Sequence, residues 1–299
     1  MVDNTLKLTE YDHPSKEVMK DYNLLVGIDE QKKELLKTLS MLLDHKKIQQ
    51  WEKKYHNKGL PLMAHLKTSS PLVILSGEVG CGKTALAQSI GTPLAELLKT
   101  PVKVFETPTN IRGSGLVGEI SNRITEVFES AKARLKNDEV GLLIIDEADD
   151  LATSREQNQA HHEDRAGLNV LIKQIDSVKK SNKRLAIIMI TNRVVVLDPA
   201  IRRRTSLHLT FERPSGKKLE EVLTWILEGI EWKKADMDKL IKTCDSHSIP
   251  YSFSDLIQRA AKQTLYEAVE HNVPFSVSLF QQVLEKTEPT PLLGDHKLN

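Results

Sequence analysis

The chain is 299 residues long with 39% hydrophobic and 28% charged side chains, the composition of a globular protein of one large or two moderate domains. Its formal charge of +1 gives no overall electrostatic argument for nucleic acid or a membrane surface as a partner. The polar first residues do not resemble a signal peptide, and no apolar run reaches membrane-spanning length, so we expect a soluble, cytoplasmic protein. Its two cysteines, Cys81 and Cys244, are expected to be reduced thiols.

The first sixty residues are predicted to form a polar arm followed by helix. Residues 1–23 are polar and contain Pro14, which indicates an arm. Apolar residues then recur at the spacing of an amphipathic helix: Leu35, Leu36, Leu39, Leu42 and Leu43. The basic stretch HKKIQQWEKKYHNK could be a nucleic-acid patch, but Glu52 interrupts its charge and we favour a solvated helix face.

Five short segments predict an α/β fold with a five-stranded parallel sheet. LVILS (72–76), LLIID (142–146) and AIIMI (186–190) are apolar throughout, as expected of inner strands covered on both faces. VKVFE (102–106) and LHLTF (207–211) alternate and are expected at the edges. Between VKVFE and LLIID lies a predicted helix with one apolar face: Ile120, Ile124, Val127, Phe128 and Ala131. Ligand chemistry is expected at the carboxyl ends of the strands.

Everything after Pro214 and Gly216 is predicted to be helical. One helix is defined by Leu219, Val222, Leu223, Ile226 and Leu227, and another by Leu256, Ile257, Ala260, Ala261, Leu265 and Ala268. Ser252 stands three residues before Asp255, which predicts a capping box at the start of the second helix. We therefore expect an N-terminal arm (1–23), a large α/β domain (24–213), a small helical domain (214–288) and a mobile tail (289–299).

The segment GEVGCGKT is the main functional motif. It fits the pattern G-x-x-x-x-G-K-[ST], whose backbone N–H groups surround phosphates while the lysine reaches the outer phosphates and the hydroxyl holds Mg²⁺. A predicted strand precedes it and a predicted helix follows it, so the helix N-terminus would face the phosphates. The residues expected to contact nucleotide are Gly77, Glu78, Val79, Gly80, Cys81, Gly82, Lys83, Thr84 and Ala85.

Polar residues after two further strands are candidates for hydrolysis. Asp146 could hold Mg²⁺ together with Thr84, and Glu147 could polarise the attacking water; the alternative is a helix N-terminus enriched in acids. Asn192 could orient that water, or could be a turn asparagine. Asp149 and Asp150 are expected to be solvated or capping.

Three consecutive arginines and two adjacent histidines have two interpretations each. Arg202, Arg203 and Arg204 could complement a helix dipole, or could be arginine fingers that reach a phosphate in a neighbouring subunit, so that hydrolysis would require an oligomer. His161 and His162 could suggest a metal site, but adjacent histidines do not converge easily on one ion, and a polar loop lining a pore is favoured.

The order of GEVGCGKT, LLIIDEADD, IIMITNR and LDPAIRRR, followed by a helical lid, resembles the AAA+ ATPases over residues 24–285. The resemblance implies that Val26, Gly27 and Ile28 lie near the adenine of ATP and that Asn192 is sensor 1. It also implies that Arg203 and Arg204 are the fingers. Leu116, Val117 and Gly118 would form a pore loop that grips substrate. Ser254 stands where the family can carry a sensor 2 arginine.

The stretch from DEADD to DSVKK, with ITNR and LDPAIRRR after it, is similar to the pachytene checkpoint AAA+ ATPases, which remodel HORMA-domain proteins. Resemblance to the short bacterial members implies a homohexamer that uses ATP and Mg²⁺. It would unfold the N-terminal segment of a HORMA protein and dismantle its complex with a cGAS-like nucleotidyltransferase, which restrains anti-phage signalling. The alternatives are a DNA-directed loader or initiator, which the near-neutral charge disfavours, and a nucleotide-gated scaffold without turnover, which the acid pair disfavours.

Overall fold

A computed structural model describes residues 8–56, 58–63, 69–108, 111, 118–152 and 162–292, with the side chains of 162–164 excepted. The chain divides into two compact units. One consists of Met1–Asn23, Glu30–Ser76 and Thr84–Leu209, and the other of Leu24–Asp29, Gly77–Lys83 and Thr210–Asn299. The glycine-rich loop and the short segment before the first long helix therefore group with the C-terminal helices.

Within the described residues, the strands form one six-stranded sheet. They are β1 (Thr9–His13), β2 (Leu72–Gly77), β3 (Val102–Glu106), β4 (Val140–Ile145), β5 (Leu185–Thr191) and β6 (Thr205–Phe211). The strand order is β1-β3-β4-β5-β2-β6. β3, β4, β5 and β2 pair in parallel, while β1 is antiparallel to β3. The α/β fold and its five predicted strands are confirmed, and the inner strands β2, β4 and β5 are buried throughout their apolar runs.

The prediction that VKVFE forms a sheet edge is wrong, because β1 pairs with the outer side of β3 and is itself the edge strand. This strand lies in the segment interpreted as a polar arm. It was missed because its side chains are mostly polar, and charge pairs rather than an apolar face supplement its backbone pairing with β3. Lys103 pairs with Asp12 at 2.8 Å and also with Glu10. His13, at the end of β1, is buried and its Nδ1 lies 2.8 Å from Thr92 Oγ1.

Helices connect consecutive strands along the chain. They are α1 (Lys16–Asn23), α2 (Asp29–Leu43), α3 (Lys46–Tyr55), α4 (Lys83–Ser89), α5 (Gly91–Leu98), α6 (Glu119–Arg134), α7 (Asp149–Ala152), α8 (His162–Lys180) and α9 (Pro199–Arg202). The predicted apolar face of α6 is buried at every position. α3 has no buried residue, as expected of a solvated helix. His162 begins α8, so the expectation of a polar loop there is wrong for this residue; His161 lies outside the described residues.

The second unit contains the C-terminal helices. They are α10 (Lys217–Ile226), α11 (Lys234–Asp245), α12, which is π-helical over Asp255–Ala261 and α-helical over Lys262–Glu270, and α13 (Val277–Lys286). The predicted capping box is confirmed, since Ser252 N–H donates to Asp255 Oδ2 at 2.9 Å and Asp255 N–H to Ser252 Oγ at 3.1 Å. Leu265, assigned to the apolar face of α12, is instead 50% exposed.

The tail predicted to be mobile is fixed where the structure describes it. Thr290 Oγ1 donates to Asp255 Oδ1 at 2.6 Å, and Pro291 O accepts from Arg213 at 3.2 Å. Buried charges anchor this segment although it has no helical or strand periodicity. In the described part of the chain, every helix is too short or too polar to cross a membrane.

Candidate functional site

The predicted catalytic residues follow neighbouring strands of the first unit. β5 is parallel to β2, with Thr191 opposite Ser76, and is parallel to β4 on its other side. Asp146 follows β4 directly and Asn192 follows β5 directly. Both therefore lie at the carboxyl edge of the sheet, where open α/β sheets bind ligands.

Thr84 and Asp146 contact each other directly. Thr84, the second residue of α4, donates its hydroxyl hydrogen to Asp146 Oδ2 at 2.8 Å. Asp146 Oδ1 accepts the backbone N–H of Glu147 at 2.8 Å. A hydroxyl and a carboxylate oxygen at this separation fit Mg²⁺, which takes few oxygen ligands from a protein and completes its shell with water and phosphate oxygens. Among the described residues, no three His, Cys, Asp or Glu side chains form a metal cage of their own.

Glu147 has a left-handed backbone conformation with a φ of +50°. This conformation costs a residue with a side chain about 1–2 kcal/mol and is concentrated at functional sites. Hydrogen bonds from the next strand hold it in place: Ala148 N–H donates to Ile190 O at 2.8 Å, and Thr191 Oγ1 donates to Asp149 Oδ1 at 2.8 Å. The end of β5 thus fixes the turn that leaves Glu147 exposed.

Sequence reasoning missed two polar contacts at this edge. Asp149 was expected to be solvated or capping, whereas it accepts the hydroxyl of Thr191, the residue before Asn192. Glu106, the last residue of β3, accepts from Gln88 Nε2 at 3.0 and 3.2 Å. The only sequence signal for this pair was an acid at the end of a predicted strand, because Gln88 is placed beside it by the fold.

The glycine-rich loop belongs to the second unit. Three of its glycines have positive φ: Gly77 (+125°), Gly80 (+73°) and Gly82 (+88°). A Cβ on Gly77 would lie 2.0 Å from Phe211 O, so this position requires glycine for space as well as conformation. Lys83 Nζ donates to the backbone oxygens of Gly77 and Glu78 at 2.8 and 2.6 Å, which holds the ammonium group against the loop.

Cys81 lies in the same loop but is no nucleophile. It is buried, and burial raises the pKa of its thiol to about 11, so the thiol is protonated at neutral pH. Cys244 is also buried, and burial raises its pKa to about 12. Both cysteines are free, in agreement with the expectation of reduced thiols.

The residues expected near the adenine lie in the same unit as the loop. Gly27 has a φ of +75°, and a Cβ there would lie 2.7 Å from the ring of Phe253. Ile28 is buried, and its Cδ1 is 3.5 Å from the position of a Cβ on Gly82. Val26 is half-buried. Ile28 therefore lies against the loop.

The three arginines differ in their surroundings. Arg202 and Arg203 are exposed. Arg204 forms a bidentate pair with Asp176, with Nε–Oδ1 and Nη2–Oδ2 distances of 2.9 Å, and donates from Nη1 to Ala200 O at 3.0 Å. Hydrogen bonds from Arg204 lower the pKa of Asp176. Arg204 is thus engaged within its own chain.

The predicted pore loop is only partly described. Leu116 and Val117 lie outside the described residues. Gly118 directly precedes α6 with a φ of +79°, and nothing lies within 4 Å of a Cβ built on it. Glycine is therefore needed there for conformation rather than for space.

A strand, a glycine-rich loop with Lys83 and Thr84, and an acid pair after another parallel strand of the same sheet define a P-loop nucleotide-binding protein. Residues 73–213 match the family model described as ATPase family associated with various cellular activities (AAA). The chain is 37% identical over 284 residues to CD-NTase-associated protein 6 of Escherichia coli strain MS 115-1, with 91% of each chain covered. It is 32% identical over 287 residues to the protein of that name from strain KTE188, covering 95% of this chain and 96% of the relative.

Solved structures agree with this assignment. A chain of the structure titled E. coli MS115-1 HORMA:CdnC:Trip13 complex superposes with a TM-score of 0.87 at 35% identity, covering 95% of this chain and 97% of that one. The structure titled Rhizobiales Trip13 superposes with a TM-score of 0.72 at 26% identity, covering 95% and 98%. The chain therefore belongs to the AAA ATPase family, in the group of CD-NTase-associated protein 6, and nucleotide binding is a property of that family.

Proposed function

We propose that this protein is a Mg²⁺-dependent ATPase that remodels a HORMA-domain protein and releases it from a cGAS-like nucleotidyltransferase, which restrains anti-phage signalling. The observation that carries the proposal is the similarity, over nearly the whole of both chains, to a chain of a HORMA:CdnC:Trip13 complex. The similarity to CD-NTase-associated protein 6 supports the same assignment. The ATPase would act on that complex from a homohexameric ring.

The chemistry assigned to the site follows from its side chains. The loop N–H groups and Lys83 bind the phosphates of ATP, and Thr84 and Asp146 hold the metal ion. When bound, Mg²⁺ supplies positive charge that offsets the charge developing on the transferred phosphoryl group. Glu147 accepts a proton from the attacking water, and Asn192 orients that water. The contact between Thr84 and Asp146 and the fixed turn at Glu147 support these roles.

The exposed Arg203 is the better candidate for a finger that completes the site of a neighbouring subunit. Arg204 would first have to leave Asp176, to which both ends of its guanidinium fork are bonded. We therefore assign Arg203 the finger role and Arg204 a role in holding the end of α9 to α8. Leu116, Val117 and Gly118 remain the proposed pore loop that pulls polypeptide.

Steady-state ATPase activity of the purified protein tests this function when it is measured over a range of protein concentrations. Three arms are compared: protein alone, protein with a HORMA-domain candidate from the same locus, and protein with DNA. A rate per subunit that rises with protein concentration, and rises again with the HORMA protein, is expected. Stimulation by DNA alone would favour a DNA-directed ATPase, and absence of turnover in every arm would favour a scaffold.

A further inference from the structure

The phosphate-binding loop is held by other segments of its own unit at three points. Glu78 N–H donates to Phe211 O at 3.0 Å, and Ser254 N–H donates to Gly80 O at 3.0 Å. The Glu78 carboxylate pairs with Arg213, with an Oε2–Nη2 distance of 3.5 Å. Two of these points are backbone hydrogen bonds that any sequence could make. The pair between Glu78 and Arg213 depends on the identity of the side chains.

Arg213 joins the loop to the end of the chain. Its side chain is only 4% exposed. Nη1 donates to Pro250 O at 2.6 Å and to Thr290 O at 2.7 Å, and Nη2 donates to Pro291 O at 3.2 Å. Burying a guanidinium is costly unless its donors find acceptors, and three of the acceptors here are backbone carbonyls. The buried Nε of Arg213 has no hydrogen-bond partner among the described residues. Glu78 supplies the only carboxylate among these partners.

Asp255 provides a second anchor for the same segment. It is fully buried and accepts the N–H of Thr290 at 3.2 Å and its hydroxyl at 2.6 Å. Its other partners include the N–H and hydroxyl of Ser252, at 2.9 and 2.8 Å. Ser252 lies two residues before Ser254, which binds Gly80 of the loop. Thr290 is therefore connected to the loop through Arg213 and also through the start of α12.

The start of residues 287–291 is held as well. The hydroxyl of Tyr251 donates to Thr287 O at 2.6 Å, and Arg259 Nη1 donates to Glu288 O at 2.9 Å. Burial raises the pKa of Tyr251 to about 12, so it remains a donor at any physiological pH. Residues 287–291, which we name the C-terminal latch, are thus bonded at both ends. Tyr251 and Arg259 hold its first residues, and Arg213 and Asp255 hold its last.

We propose that the C-terminal latch is a positioning element for ATP: it holds Arg213 so that Arg213 fixes Glu78 and, with Ser254, keeps the loop in its phosphate-binding conformation. The proposal rests on the proposed function, since it requires the loop to bind ATP. Through the latch, the C-terminal helices are linked to the nucleotide loop without a sensor 2 arginine. A preformed loop binds substrate and transition state equally, so loosening the latch raises KM for ATP and leaves kcat nearly unchanged.

The test uses the full chain with Thr290→Val, Glu78→Ala and the double variant. Thr290→Val keeps the side-chain volume and the backbone groups but removes the hydroxyl that binds Asp255. The dissociation constant of a fluorescent, non-hydrolysable ATP analogue and the KM and kcat of ATPase activity are measured. Each single variant is expected to weaken analogue binding roughly fivefold, as loss of one hydrogen bond to a charged group allows. Thr290→Val, which lies outside the loop, is also expected to leave kcat within about twofold.

The double variant distinguishes a latch from two separate structural defects. Thr290 O contacts Arg213, the partner of Glu78, while the Thr290 hydroxyl supports the loop through Asp255 and the start of α12. The two routes share the latch, so the double variant should weaken binding by less than the product of the two single effects. Glu288→Ala, an exposed side chain within the latch, is the matched control and should bind as the wild type does. Wild-type affinity in Thr290→Val, a kcat loss at unchanged KM, or multiplicative effects in the double variant would overturn the latch alone. Failure of the wild type to bind the analogue would overturn the proposed function as well.

Discussion

Replacing Asp255 by Asn should destabilise the C-terminal helical unit strongly. The carboxylate accepts hydrogen bonds from Ser252 N–H and hydroxyl, Thr290 N–H and hydroxyl, and Arg259, at 2.6–3.2 Å. Asparagine keeps one acceptor oxygen, so at least two of these donors would face an NH₂ group in a buried site. At about 1–3 kcal/mol for each unsatisfied buried group, the expected loss is about 3–5 kcal/mol.

The same carboxylate gives the prediction a pH dependence. Burial alone would raise the pKa of Asp255, but hydrogen bonds from Thr290, Ser252 and Arg259 lower it from 3.8 to about 2. Because the folded pKa is below the unfolded one, the carboxylate stabilises the fold above about pH 4, and this stability is lost as the pH falls towards 2. A shift of this size corresponds to about 2 kcal/mol.

Thermal unfolding measured by fluorescence checks both parts. At pH 7 Asp255→Asn should lower the midpoint by roughly 10 °C, using about 2–4 °C per kcal/mol for a protein of this size. Asp238→Asn, an exposed aspartate of α11, is the control and should shift it by less than about 2 °C. The difference between wild type and Asp255→Asn should shrink between pH 5 and pH 2.5. An Asp255→Asn midpoint equal to that of the control, or a difference that does not change with pH, would refute the reasoning.

Three further predictions follow from the other unit. Glu147→Gln should retain nucleotide binding and lower ATPase activity about 10²–10⁴-fold, as loss of a general base does; normal turnover would exclude Glu147 from that role. Arg203→Ala should leave the melting temperature unchanged and lower ATPase activity about 10³-fold. Arg204→Ala should instead cost about 1 kcal/mol of stability, because it removes the ion pair with the half-exposed Asp176. Equal effects of the two variants on the melting temperature would contradict this division of roles. Burial lowers the pKa of His13 below 6.5. On acidification the unfolded chain therefore binds a proton at His13 more readily than the folded chain does, so wild-type stability should fall as the pH drops below 6.5. The melting temperature of His13→Gln should change less between pH 7.5 and 5.5 than that of the wild type. An equal change in the two proteins would show that His13 is not the source of this pH dependence.

Elements with a strong local signal could be predicted from the sequence. β2, β4 and β5 are continuous apolar runs because both faces are buried, and such runs are visible without tertiary information. The periodic face of α6 and the Ser252–Asp255 capping box are also local patterns. The phosphate loop was predicted because glycine spacing reflects backbone conformation within a few residues.

Features that depend on distant polar partners could not be predicted. The polar strand β1 pairs with a strand ninety residues later through Lys103, and neither segment alone signals the pairing. Asp176 and Arg204 are 28 residues apart, so the sequence alone does not indicate that Arg204 is paired and less suited than Arg203 to be an arginine finger. Residues 287–291 have no periodicity, and the side chains that hold them, among them Arg213 and Asp255, lie far away in the chain.

The central claim is that ATP hydrolysis by this protein dismantles a HORMA complex. The most direct measurement is the disassembly of a preformed, fluorescently labelled complex between the HORMA protein and the nucleotidyltransferase of the same locus. Wild-type protein with ATP and Mg²⁺ should release the nucleotidyltransferase, while Glu147→Gln with ATP, or wild type with a non-hydrolysable analogue, should not. A complex that stays intact with wild-type protein and ATP, or that Glu147→Gln dissociates equally fast, would contradict the account.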